Sequence, residues 1–306
     1  MRRIHKFEYV LKYFSPEIRK ALEKISVPDR EKVHEIRLRI GKPIGITSFG
    51  REKYLISNGS FSENEKMAMV CTAEDINYSF KAICDYSVYS YEKQICNGYI
   101  TVQGGNRVGI SGSASYRKNH IETLKYINGL NFRIAGQVDG CAEKIYKEIF
   151  SNAPKGLIIA GSPSSGKTTI IKDLCRLMGS RWRISVIDER GEISATLHGE
   201  PQNNVGLKSD IFDGYPKAEG IETAIRVMTP DIVVCDEIGG QKDTKAIISS
   251  VNSGVKIVAT AHAGSIEELK NKKYIKKLLK YGVFEYAVLL GNESEVGQVK
   301  ELVKLR

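Results

Sequence analysis

No apolar run in this chain of 306 residues approaches the length of about 20 that spans a bilayer. The opening stretch Met-Arg-Arg-Ile-His-Lys-Phe-Glu also lacks the long apolar core of a signal peptide. Both absences predict a cytoplasmic protein, with a role at the membrane periphery left open. The six cysteines, Cys71, Cys84, Cys96, Cys141, Cys175 and Cys235, form no Cys-x-x-Cys pair, and no paired histidines stand near them at zinc spacing. Reduced, partly buried thiols follow, not a metal module. No internal repeat and no low-complexity tract interrupt the chain. No Asn-Lys-x-Asp occurs, so a guanine-specific site has no support. Acidic charge is in deficit: 36 Asp and Glu stand against 46 Lys and Arg, a net charge of +10. The excess is uneven, with 22 basic and 15 acidic residues in 1–140 but 24 and 21 in 141–306. A basic balance suits nucleic acid, anionic lipid or an acidic partner, and equally a plain solvated surface.

Against these absences stands one strong presence. Gly161-Ser162-Pro163-Ser164-Ser165-Gly166-Lys167-Thr168 matches the phosphate-binding loop G-x-x-x-x-G-K-[ST]. Gly156 to Ala160 reads as a buried strand running into it. Ile170, Ile171, Leu174 and Leu177 then mark one apolar helix face after it. Strand, glycine loop and helix in that order aim backbone N–H groups and the positive end of a helix dipole at a polyphosphate. Gly161 through Thr169 are the expected nucleotide-binding residues, with Lys167 reaching the β- and γ-phosphates and Thr168 holding Mg²⁺.

The chain length suggests two domains. Residues 1–138 read as a smaller α+β domain. Ser15-Pro16-Glu17 is a helix start, and Thr72 with Asp75 resembles a capping box before the stripe Ile76, Phe80, Ile83. Strand-like pieces cover 35–40, 44–47 and 53–56. Tyr99–Val102 and Arg107–Ser111 flank a Gly104-Gly105 turn, and 131–135 is another strand. Gly136 to Gly140 reads as a linker to a helix from Ala142 to Phe150. Residues 139–306 alternate strands, at 156–160, 183–187, 231–235, 255–260 and 284–290, with helical stripes such as Ile221, Ala224, Ile225, Met228 and Ala246, Ile247, Val251. Gly254 is placed as the residue that ends the second of these helices. This alternation predicts a mainly parallel α/β sheet with its ligand at the strand carboxyl ends. Lys270 to Lys280, with Ile275, Leu278 and Leu279, fits an amphipathic helix and also a membrane or partner contact.

Three more strand ends carry chemistry. Ile232-Val-Val-Cys-Asp236-Glu237 is an apolar strand ending in two carboxylates, the Walker B pattern. Asp236 is the expected Mg²⁺-site carboxylate, and Glu237 the group that orients or deprotonates the attacking water. Arg183 to Glu192 ends in Asp188-Glu189, which makes Glu189 a rival for that role. Val255 to Thr260 ends at His262, placed to bond the γ-phosphate or a water.

These boxes, in this order, resemble the secretion ATPases of type II and type IV systems. In that family they are the Walker A, Asp, Walker B and His boxes of a RecA-type core. Arg226-Val-Met-Thr-Pro-Asp231-Ile-Val-Val is similar to the family's segment entering Walker B. His34-Glu-Ile-Arg-Leu-Arg39-Ile-Gly-Lys-Pro43 is similar to the entry strand of its N-terminal domain. Gly105-Asn-Arg107-Val and Asn131-Phe-Arg133-Ile match its arginine-bearing strands. The stretches 35–39, 98–109, 186–192 and 215–220 resemble a sporulation branch of that superfamily, whose ATPase serves a channel between mother cell and engulfed forespore. The resemblance implies an ATP-hydrolysing motor with Mg²⁺, a homo-oligomeric ring, a hexamer by analogy, and membrane proteins of a sporulation channel as partners, on the mother-cell side. It makes Arg107 and Arg133 candidates to complete a neighbouring subunit's site. The chain departs from the family in having Asp236-Glu237 for Gly-Glu and Ile238-Gly239-Gly240 for Ile-Arg-Asp. Two other readings stay open: a motor stimulated by single-stranded nucleic acid, although no added strand-binding module is recognisable, and a nucleotide-gated assembly platform with little turnover.

Overall fold

A computed structural model describes residues 3–48, 50–117, 120–136, 138–291 and 296–306. Met1 and Arg2 of the opening stretch and Gln137 of the expected linker lie outside them. The chain divides into two compact units, Met1–Gly136 and Gln137–Arg306.

In the first unit, seven strands among the described residues make one antiparallel sheet. They are β1 (Val33–Arg39), β2 (Gly45–Ser48), β3 (Arg51–Leu55), β4 (Phe61–Ser62), β5 (Tyr99–Val102), β6 (Asn106–Arg117) and β7 (His120–Arg133), in the order β4-β3-β2-β1-β7-β6-β5. Alternation sends Ile36 and Leu38 of β1, Val108 of β6 and Leu130 and Phe132 of β7 into the core with Phe7 and Phe14. The intervening Glu35, Arg37, Arg107, Asn131 and Arg133 fall on the other face. The helix Ala73–Ile83 packs on β7 and starts with the expected capping box, Thr72 and Asp75 each bonding the other's backbone N–H. Pro16 opens its helix, but Ser15 makes no side-chain cap. Its hydroxyl donates to Asp75 instead. Gly104 and Gly105 turn β5 into β6 with φ of 79° and 73°. β6 and β7 pair much further than 107–111 and 131–135, continuing as a two-stranded arm in which Ile121, Leu124 and Ile127 stand three apart and so break the two-residue alternation of a strand. A register break at 111–113 lets Tyr126 bulge out with φ of 49°.

In the second unit the strands are β8 (Leu157–Gly161), β9 (Ile184–Asp188), β10 (Ser209–Asp213), β11 (Ile232–Cys235), β12 (Lys256–His262), β13 (Tyr286–Leu290) and β14 (Val299–Lys304). Their order is β10-β9-β11-β12-β8-β13-β14, parallel except for β13 against β14. The central strands β8, β9 and β11 are buried at every position, which is why they read as unbroken apolar runs. Helices Lys167–Met178, Lys217–Met228 and Gln241–Asn252 make the crossovers, and Gly254, with φ of 75°, follows the last of them as expected. The edge strands β10, Ser-Asp-Ile-Phe-Asp, and β14, Val-Lys-Glu-Leu-Val-Lys, are polar enough to escape a search for apolar runs. The Lys-rich segment forms two short helices, Ile266–Asn271 and Lys273–Lys280, with Ile275 and Leu278 buried.

Candidate nucleotide site

The strand order makes β9, β11, β12 and β8 consecutive neighbours, so their carboxyl ends form one row. Gly161 of β8 is the register partner of His262 of β12. Cys235 of β11 faces Ala259 of β12 on one side and Ile187 of β9 on the other. Asp236, Glu237, Asp188 and Glu189 therefore leave the sheet at the same end as the phosphate loop.

The loop is built by its glycines. A Cβ on Gly161 would collide with Ser165 Oγ, and Gly166 takes φ of 94° as the residue before the helix Lys167–Met178. Ser164 adopts φ of 61°. Left-handed residues alternating with a right-handed or extended one point backbone N–H groups inward, a nest for an anion. Ser165 Oγ is buried with no hydrogen-bond partner among the described residues. Lys167 is 8% exposed and donates to Gly161 O at 2.9 Å and Ser162 O at 2.7 Å. Burial lowers its pKa, while the charges of Glu237 and Asp236 act in the opposite direction. An ammonium held only by loop carbonyls and nearby carboxylates suits an incoming phosphate.

At the other strand ends, Thr260 Oγ1 donates to Asp236 Oδ1 at 2.9 Å and orients that carboxylate. His262 Nε2 lies 3.1 Å from Glu237 Oε2. Thr260 and His262 are two residues apart on β12, so alternation puts both on one face. That spacing is the signal that would have added Thr260 to the site.

The β9 end behaves differently. Asp188 is 1% exposed, and its carboxylate accepts from the backbone N–H groups of Glu192, Ile193 and Ser194 and from Ser194 Oγ. It builds the loop after β9. Glu189 points instead to Lys217, 3.5 Å away, whose Nζ also donates to Glu237 O at 2.6 Å. A cavity of about 230 Å³ is lined by Glu189, Arg190, Lys217, Asp236, Glu237 and neighbouring residues of the turn that follows. The sequence alone does not mark Lys217. The 215–220 stretch contains it, but a lone lysine there carries no chemical signal.

Among the described residues, no group of three His, Cys, Asp or Glu side chains is arranged to hold a metal ion. Thr168 and Asp236 are hard oxygen donors of the kind Mg²⁺ takes alongside phosphate oxygens. All six cysteines are unpaired. Burial pushes the Cys235 thiol up to about 12 and Cys84 to about 11. No helix of the described residues is long and apolar enough to cross a membrane.

Arg107 and Arg133 are register partners on β6 and β7, in the first unit. Arg107 stacks over the Tyr99 ring at 4.9 Å, and Arg133 Nε lies 3.7 Å from Glu35 Oε1.

Residues 4–306 match the family model described as sporulation stage III, protein AA. The chain belongs to that family. It is 32% identical over 291 residues to stage III sporulation protein AA of Bacillus subtilis (strain 168), covering 93% of this chain and 91% of the relative. Among solved structures it is similar to the pilus retraction motor PilT bound to ADP, with a TM-score of 0.56 at 14% identity over 94% of this chain and 80% of that one. It is also similar to the Legionella pneumophila ATPase DotB, with a TM-score of 0.52 at 11% identity over 84% of this chain and 72% of that one. At these identities the likeness shows the fold alone: a RecA-type P-loop core preceded by a smaller α+β domain.

Proposed function

We propose that the protein is a Mg²⁺-dependent ATP hydrolase that works as the motor of a secretion-like channel between mother cell and forespore. The observation that carries the reading is the row of strand ends, with Lys167 on the loop carbonyls, Asp236 oriented by Thr260 and Glu237 paired with His262. In-line attack of water on a γ-phosphate needs positioning and charge neutralisation more than covalent chemistry. Gly161 to Thr169 cradle the phosphates and Lys167 neutralises them. Thr168 and Asp236 hold Mg²⁺, which supplies further positive charge to the phosphate oxygens when bound. Glu237, or Glu189 as its rival, orients the water and accepts its proton, and His262 fixes the Glu237 carboxylate. The active form is a homo-oligomeric ring, a hexamer by analogy, in which Arg107 and Arg133 bring positive charge to a neighbouring subunit. Its partners are membrane proteins of the channel, and its place is the cytoplasmic face of the membrane.

Phosphate release in the presence of Mg²⁺ tests the hydrolase. Lys167→Ala is expected to lower kcat about 100-fold or more, the usual cost of deleting a group that stabilises transition-state charge. EDTA is expected to abolish turnover. Glu237→Gln should keep ATP and turn over poorly, whereas normal turnover in that variant moves the base role to Glu189. Strong stimulation by single-stranded DNA with a steep salt dependence would replace the channel motor by a nucleic-acid motor. ATP-dependent oligomerisation with negligible phosphate release would replace it by an assembly platform.

A further inference from the structure

Lys217 occupies a position that is unfavourable for a lysine on three counts. It is the first residue of the helix Lys217–Met228, where the helix dipole repels a cation. It is only 9% exposed, so its ammonium is largely stripped of water. Its long side chain is held in one conformation, which costs rotamer entropy. Contacts at the Walker B end offset these costs. The ammonium donates to the main-chain oxygen of Glu237 at 2.6 Å and pairs with Glu189 Oε2 at 3.5 Å. It also lines the cavity where Glu189, Asp236, Glu237 and Asp243 gather four carboxylates.

Within the turn that Lys217 grips, Ile238 is the side chain buried in the core. Gly239 and Gly240 follow Ile238 and carry no side chains. The turn is tied down from outside: Ile238 N donates to Thr260 O at 3.0 Å, and Gly239 N to Asp243 Oδ2 at a long 3.4 Å. We infer that Lys217 is a positioning residue for hydrolysis, one that clamps the main chain of Glu237 so that its carboxylate stays turned to His262, and that neutralises Glu189 beside it. The clamp works on the Glu237 backbone and does not occupy its carboxylate. It also occupies Glu189 with an ion pair, which separates the roles of the two candidate bases. This inference rests on the hydrolase reading above, in which Glu237 acts on the attacking water.

Two measurements on the full chain separate the inference from that reading. Amide hydrogen exchange of the nucleotide-free protein reports the clamp without any turnover. Lys217→Met is expected to speed exchange across 236–240 about tenfold while the phosphate loop keeps its protection, and Lys217→Arg should restore much of it. Steady-state kinetics then report the consequence. Lys217→Met should lower kcat about tenfold with the Kd of a fluorescent ATP analogue changed less than about twofold, because only the water-positioning group is displaced. Lys217→Arg should recover kcat, and adding Glu189→Gln to Lys217→Met should recover part of it by removing the unpaired carboxylate. Unchanged exchange at 236–240 in Lys217→Met overturns the clamp whether or not the protein hydrolyses ATP. Faster exchange with an unaltered kcat leaves a structural lysine and overturns the positioning role. A wild-type protein that binds ATP without releasing phosphate sinks the hydrolase reading and the positioning role with it, and the exchange data then decide the clamp alone.

Discussion

Gly166 shows how much of this site depends on single atoms. Its φ of 94° lies in the left-handed region, and a Cβ there would come within 2.9 Å of Gly297 N, itself bonded to Ser165 O. An alanine must therefore bear both backbone strain and a clash with main chain that has no rotamer to yield. Gly166→Ala is expected to cost about 1–3 kcal/mol of stability and to weaken ATP binding more than about tenfold. Urea unfolding and nucleotide titration on one preparation check both. Wild-type affinity in this variant would show that the phosphate nest tolerates a different turn. Asp188 makes the complementary point. Its residue type is that of a metal ligand at a strand end, yet its oxygens are spent on three backbone N–H groups and a serine hydroxyl. Residue type and position name a candidate, while the hydrogen bonds decide what it does.

At the scale of elements, the end of the parallel sheet away from the phosphate loop is pinned by one carboxylate. Glu285, just before β13, accepts from Lys155, just before β8, at 2.8 Å and from Lys256, the first residue of β12, at 2.9 Å. Burial pushes the Glu285 carboxyl up, but the hydrogen bonds and charge of the two lysines outweigh it and hold the group below its ordinary value. A carboxyl lowered by folding adds stability above its unfolded pKa of about 4.3 and loses it as pH falls through the lower folded value. Both lysines are partly exposed, so solvent screening keeps the effect modest. Glu285→Gln should cost about 1 kcal/mol at pH 7, with the gap to wild type closing below about pH 4. Denaturant midpoints measured across that range test it, and a gap that widens on acidification would contradict the assignment. The elements also separate what was legible from what was not. Strands β8, β9, β11 and β12 are buried on both faces and so announce themselves as apolar runs. β10, β14 and the outer arm of β6 and β7 have solvent on a face or an edge, and their mixed polar and apolar residues make no unbroken run.

For the whole molecule, Arg107 and Arg133 lie in one unit and the phosphate loop in the other, and a ring in which neighbours complete each other's sites makes a specific prediction. Lys167→Ala and an Arg107→Ala, Arg133→Ala double variant should each be inactive alone, yet mixing them should restore part of the ATPase activity. Each mixed ring can then contain an intact loop facing intact arginines. No recovery in mixtures shown by cross-linking to be mixed would place the arginines outside the site. What the sequence determined by itself was the fold class, the phosphate loop and the strand-end carboxylates. These are written locally, in glycine spacing and buried apolar runs a few residues long. Only the tertiary structure decided which groups meet: Thr260 with Asp236, His262 with Glu237, Lys217 with both Glu189 and the Glu237 backbone. Those pairings join residues up to 28 positions apart, and strand order and register create them. A lysine or an aspartate looks the same in sequence whether it binds a ligand, holds a turn or faces water.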